Sequence, residues 1–174
     1  MWWFWLVAAI VILFGFVVFR GAPYVPSKKG DIKRAFDELY PIGKHDLVVD
    51  IGSGDGVVLR QAAIRGASAV GYELNPLLVL ISRWFSRNQP NVKIHLADFW
   101  SAKLPNATTV VYTFGESRDI TKMANKVARE SKRLGKPLMF ISYAFEVPHQ
   151  TPVKKIGAHY LYRFDPLHTP EAQV

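Results

Sequence analysis

Residues 46–56 read Asp-Leu-Val-Val-Asp-Ile-Gly-Ser-Gly-Asp-Gly, a β-branched run that ends at the carboxylate of Asp50 and passes into glycines at 52, 54 and 56. Glycine lacks a Cβ and tolerates positive φ, so such a turn lets the main chain approach a ligand closely. The apolar stretch from Val57 opens a helix whose first N–H groups are free to point at that ligand. A second acid, Glu73, closes the short apolar run 69–72, 21 positions beyond Gly52. An acid at that distance, on the tip of the next strand, can accept hydrogen bonds from both hydroxyls of a ribose. A third acid, Asp98, follows the alternating segment 91–96 and precedes Phe99 and Trp100. Its carboxylate is a hydrogen-bond acceptor, and either ring offers an apolar face. Three acids at successive strand ends point to one nucleoside-containing ligand, because ligands of open α/β sheets gather outside the carboxyl ends of the strands.

Spacing separates two cofactor classes. A dinucleotide fingerprint has glycine at its first, third and sixth positions. Counted from Gly52, the third position is Gly54 but the sixth is Val57. The segment resembles instead the first motif of the class I S-adenosyl-L-methionine-dependent methyltransferases, an acid followed by alternating glycines. That resemblance implies that Asp50 lies near the cofactor's amino group, while Gly52, Ser53, Gly54 and Gly56 pass beneath its methionine part. It also implies Glu73 at the ribose and Asp98 with Phe99 at the adenine. Glu73-Leu74-Asn75-Pro76 is similar to a sequence familiar in the family at this point. The bland alternatives are a glycine-rich turn in a structural α/β domain and, for Phe99, core packing.

Strands are expected near 47–51, 69–73, 92–96, 108–112 and 137–143, with helices near 56–64, 77–87 and 120–134. Residues 154–163 should form a closing hairpin or edge strand. The short interval 97–108 leaves room for a turn where a helix is customary. The whole matches a doubly wound, seven-stranded Rossmann-like methyltransferase sheet. Another helix is expected over about 28–40, with Ile32, Ala35, Phe36, Leu39 and Tyr40 as its buried stripe and Pro41 as its end.

Residues 1–19 carry no ionisable side chain, and a helix over 2–19 would be about 27 Å long, close to a bilayer's hydrocarbon thickness. Trp2, Trp3 and Trp5 cluster at one end and Arg20 closes the other. This pattern predicts an N-terminal transmembrane helix over 1–20. A signal peptide is the competitor, but it would carry a positive n-region, and no Lys or Arg precedes the apolar run. Positive residues beyond the span predict a single-pass protein of the cell membrane with its catalytic domain facing the cytoplasm. The expected organisation is an anchor over 1–20, an entry segment and helix over 21–41, a cofactor-binding core over 42–165 and a flexible tail over 166–174.

The entry Pro23-Tyr24-Val25-Pro26, the helix after it and the Asp-x-Gly-Ser-Gly-Asp-Gly turn together resemble a small family of membrane-anchored protein lysine methyltransferases. The likeness covers most of residues 22–164 and implies methyl transfer to a lysine amine of an integral membrane protein. It places Tyr112-Thr113-Phe114-Gly115-Glu116 at the acceptor channel, with Tyr112 and Glu116 orienting the amine. The Asn/Asp-Pro-Pro-Tyr/Phe sequence of many amine methyltransferases is absent here, which leaves RNA, lipid or small-molecule acceptors, or a non-catalytic scaffold, as alternatives.

Composition bounds the partners. The chain of 174 residues carries a formal charge of +8 and no cysteine, which excludes a disulfide framework and thiolate chemistry. Its five histidines are dispersed and give no metal site, His149 near a strand end being the one to watch. Lys122, Lys126, Arg129 and Arg133 are spaced to share one helix face. Such a face can touch anionic lipid beside the bilayer, bind RNA phosphates, or simply be solvated; no RNA-binding module accompanies it, so nucleic acid is not an expected partner.

Overall fold

Valine, isoleucine and aromatic residues suit a pleated, half-buried surface, and the segments rich in them pair into one seven-stranded sheet. The computed structural model describes residues 2–5, 7–8, 28–114 and 117–166. In chain order the elements are α1 (Lys29–Arg34), a π-helical turn (Ala35–Leu39), β1 (Leu47–Ile51), α2 (Val57–Ile64), β2 (Ser68–Glu73), α3 (Pro76–Phe85) and β3 (Val92–Leu96). They continue with β4 (Val110–Thr113), α4 (Ser117–Leu134), β5 (Leu138–Tyr143), β6 (Lys154–Ile156) and β7 (His159–Phe164).

The strand order is β3-β2-β1-β4-β5-β7-β6. The first five strands are parallel, and β7 pairs antiparallel with both β5 and β6. The order reverses direction between β1 and β4, the place where an open α/β sheet opens a crevice at its carboxyl ends. Side chains alternate across each strand, which divides the core in two. Val48, Val110 and Tyr112 pack beneath α1, the π turn and α2, with Ile32, Phe36, Leu39 and Leu59. Val49, Ile51 and Val111 pack against α4, whose Ile120, Met123, Ala124, Val127 and Ala128 recur at helical spacing.

Two expectations are corrected. The helix over about 28–40 is α-helical only to Arg34. It then widens, Tyr40 donating its N–H to Ala35 O at 3.0 Å across five residues, so that Phe36 and Leu39 both reach the core. The membrane span over 1–20 is not found: among the described residues no helix is long and apolar enough to cross a membrane. Residues 1, 6 and 9–27, where most of that expectation fell, lie outside the described residues, as does the tail from 167. The single-pass cell-membrane placement and the bilayer as a partner fall with it.

Candidate active site

Gly52, Gly54 and Gly56 all have positive φ, at 69°, 52° and 79°. Here glycine is a requirement, since an L side chain in this region costs about 1–2 kcal/mol. At Gly56 space forbids a side chain as well: a Cβ would stand 2.2 Å from Ser82 Oγ on α3. The turn is sewn to the next strand by its own backbone, Gly52 and Ser53 donating to Tyr72 O at 3.0 and 3.1 Å.

Glu73 is the knot of this corner. One carboxylate oxygen accepts from Gly54 N at 2.9 Å and the other from Asn75 N at 2.8 Å. A carboxylate has about four acceptor positions, so fixing two leaves it oriented and still able to accept. Asn75 then caps α3, accepting from Leu77 N at 3.0 Å, with Pro76 as the first helical residue. Each residue of Glu-Leu-Asn-Pro except Leu74 thus has a local task. Asp55, one residue before the Gly56 N-cap of α2, accepts from Val57 N at 3.0 Å.

Asp50 is 3% exposed. Burial first, then the negative charges of Glu73 and Asp55, hold its carboxyl well above the usual carboxylate range. A buried acid among acids is costly unless a cation joins it. Asp50 lies opposite Gly71 on β2 and Tyr112 on β4, which puts it at the reversal of strand order. Gly71 is small for a reason: a Cβ would meet Ser53 Oγ at 2.5 Å and Leu59 Cδ1 at 2.7 Å.

Asp98 is exposed and its Oδ1 accepts from Trp100 N at 2.9 Å, which folds residues 98–102 into a turn. Phe99 is buried within the α4-side core, beside Tyr72 at 6.2 Å between ring centroids and Trp100 at 5.7 Å. The basic stripe of α4 holds this turn in place. Lys126 is buried, and its Nζ donates to the carbonyls of Phe99, Trp100 and Ala102 at 2.6, 2.8 and 2.6 Å. Desolvation dominates the lowering of its pKa; Glu130 opposes that shift, Arg129 adds to it and Asp98 opposes it. Arg133 bonds Leu104 O at 2.6 Å and Glu130 at 2.6 Å, and Lys122 lies 4.0 Å above the Trp100 ring. The reading of this stripe as a face free for lipid, RNA or solvent is therefore corrected: two of its four cations are committed to backbone carbonyls of residues 99–104.

At the end of β4, Tyr112 is 1% exposed, its hydroxyl 3.0 Å from His159 Nε2 and its ring against Phe36 at 5.9 Å. His159, on β7, is 3% exposed, and burial pulls its pKa down to about 4, Asp31 opposing weakly. Sequence position singles out His149, which is exposed; His159 is the histidine that the fold brings inside. Glu116 lies outside the described residues. No group of His, Cys, Asp and Glu among the described residues is arranged to hold a metal ion.

The family model for the ANTKMT methyltransferase domain matches residues 50–154. The chain belongs to that family. The ATP synthase C-subunit lysine N-methyltransferase of Homo sapiens is 35% identical over 133 residues, which are 75% of this chain and 54% of that protein. The adenine nucleotide translocase lysine N-methyltransferase of Mus musculus is 30% identical over 139 residues, 78% of this chain and 58% of that protein. The chain thus spans little more than half the length of these curated relatives. Among solved structures, an RNA methyltransferase from Salinibacter ruber in complex with S-adenosyl-L-homocysteine superposes with a TM-score of 0.73 at 25% identity, covering 84% of this chain and 97% of that one.

The cofactor of this ANTKMT-family domain is S-adenosyl-L-methionine, and the residues present fit it. Asp50 is a buried carboxyl that no cation among the described residues offsets, Glu73 a pre-oriented acceptor and the glycine turn a close-approach surface. The resemblance to a membrane-anchored branch is corrected to membership of the family alone: among the described residues no helix is long and apolar enough to cross a membrane.

Proposed function

We propose that the chain transfers a methyl group from S-adenosyl-L-methionine to the side-chain amine of a lysine in a protein. The observation that carries the reading is Asp50, buried beside the glycine turn at the reversal of strand order with no cation among the described residues to offset it. The lysine acceptor is supported by the relatives named for lysine methylation of an ATP synthase component and of adenine nucleotide translocase.

In this reading Asp50 pairs with the cofactor's ammonium, and Gly52, Ser53, Gly54 and Gly56 admit its methionine part. Glu73 receives the ribose hydroxyls, and Asp98 meets the adenine amine with Phe99 beneath the turn. S-adenosyl-L-methionine, when bound, supplies an electrophilic methyl group on a sulfonium. The chain's task is then to align a nitrogen lone pair behind that methyl carbon and to keep water out. With the cofactor bound, its methyl group would pass to the lysine nitrogen as the carbon–sulfur bond broke, and the proton surplus on nitrogen would leave to solvent. Desolvation at the β4 end lowers the amine's pKa and so raises its neutral, nucleophilic fraction. The family resemblance assigns Tyr112 and Glu116 to orienting that amine, a role kept here as part of the proposal although the Tyr112 side chain is itself 1% exposed.

Methyl-labelled cofactor, incubated with the full chain and a cell extract, should place its label in protein, and hydrolysis should release methylated lysine. Label confined to RNA would reject this reading. That second reading is favoured by the Salinibacter ruber structure, and by an open groove along β3 lined by Arg83, Arg87, Lys93 and His95. Arg83 is already committed there, donating to Ile94 O at 2.7 and 3.1 Å.

A further inference from the structure

Beyond the cofactor corner, the face of the sheet that carries Asp50 continues as a run of aromatic side chains. Phe114 lies two residues past Tyr112, and Tyr143 stands opposite His159 across the β5/β7 pair. Phe114 and Tyr143 are half-buried, their ring centroids 4.7 Å apart and their planes at 85°. Tyr112 and His159 are buried outright, whereas Tyr143 packs against that core only in part and both rings keep exposed surface at the carboxyl end of the sheet.

Three contacts hold this pair. The Tyr143 hydroxyl donates to Asp31 Oδ2 at 2.9 Å, tying β5 to α1 across 112 positions of sequence. The His159 ring packs under Tyr143 at 4.5 Å. Ala144 takes a φ of 71°, unusual for a residue with a Cβ, and donates to Ala158 O at 2.8 Å, so the chain turns sharply just after Tyr143. Strain of this kind persists only where its surroundings fix it.

Two perpendicular aromatic faces with a carboxylate at one edge suit a cation carried on a slender aliphatic stem, because each ring face is the negative end of a quadrupole. We infer that Phe114 and Tyr143 are the walls past which the acceptor's ammonium enters, and that Asp31 is the positioning residue that holds Tyr143 there. The assignment rests on the lysine reading and adds to it an entry built partly from α1, an element outside the region matched by the family model.

The test uses the full chain saturated with S-adenosyl-L-homocysteine, and butylammonium as a stand-in for the lysine side chain. Saturation transferred in NMR from aromatic ring protons should reach the butylammonium methylenes. Phe114→Leu and Tyr143→Leu should each weaken its binding about 3- to 10-fold. S-adenosyl-L-homocysteine affinity, measured by calorimetry as the control for folding, should stay within about twofold. Asp31→Asn should show a smaller loss than Tyr143→Leu. Absence of transfer in the wild type, unchanged binding in both leucine variants, or transfer to adenosine monophosphate in preference to butylammonium would each overturn the inference. If butylammonium behaves as stated while the label of the preceding assay sits in RNA, the lysine reading fails and the cation site stands.

Discussion

At the ends of β1 and β2, every group expected to face the cofactor falls between Asp50 and Asn75, and main-chain atoms do most of the fixing. Glycine φ values, N–H groups on Tyr72 O and N–H groups on Glu73 set the corner. At the ends of β4, β5 and β7 the groups come from Asp31, Tyr112, Phe114, Tyr143 and His159, and side chains touch side chains. A corner made of backbone tolerates little substitution but can be built from a short continuous motif. A corner made of distant side chains can be re-tuned one residue at a time, as an acceptor site shared by relatives with differently named substrates would need.

Breaking the backbone corner should have the largest effect. Gly56→Ala combines the positive φ with the contact to Ser82, so unfolding free energy from a urea titration should fall by ~3 kcal/mol. A loss below ~1 kcal/mol would mean that the turn relaxes and that its glycines are not demanded by conformation.

The side-chain corner should instead show itself through pH. His159 has its pKa lowered from 6.5 to about 4, so the unfolded chain binds the extra proton first. Stability from this group is whole above the unfolded value and is lost as pH falls from about 6.5 towards 4, by about 3 kcal/mol in all. His159→Gln should flatten that limb of the stability profile. An unchanged acid limb would show that His159 titrates normally and that the Tyr112 pair is not sealed.

Lys126 tests the seam between the two. Lys126→Met removes three hydrogen bonds to the carbonyls of Phe99, Trp100 and Ala102 while keeping an unbranched apolar stem. Leaving those carbonyls unpaired should cost about 1–3 kcal/mol, and the loosened Asp98 turn should raise the cofactor's Kd. Equal affinity in a variant that melts earlier would assign Lys126 to stability alone.

The same contrast explains what the sequence makes legible. Asp50, the three glycines and Glu73 are visible because turn geometry ties residue type to local spacing, and a short motif records it. The strands are visible from β-branched runs, and the reduced 97–108 interval from its length. His159 gives way to His149 in the sequence, because only the β5/β7 register decides which of them faces inward. Lys126 reads as surface because helical spacing reports a face and not what packs against it. The membrane helix over 1–20 comes from apolar length alone, and most of that expectation falls outside the described residues, among which no helix is long and apolar enough to cross a membrane. The π turn leaves no mark at all, since the same apolar residues serve either helix.

The central claim is that Asp50 is kept buried at a cost for the sake of a cationic ligand, and Asp50→Asn measures both sides of it. A group whose folded pKa is raised stabilises fully below its unfolded value of 3.8, and that contribution is lost as pH rises through the folded pKa. At neutral pH, therefore, free Asp50→Asn should melt at a higher temperature than the wild type, the gap closing as pH is lowered towards 3.8. Its S-adenosyl-L-methionine affinity by calorimetry should be weaker by about 10- to 100-fold, the loss of one charge-assisted partner. A variant that binds the cofactor as tightly as the wild type, and is no more stable without it, would contradict the account.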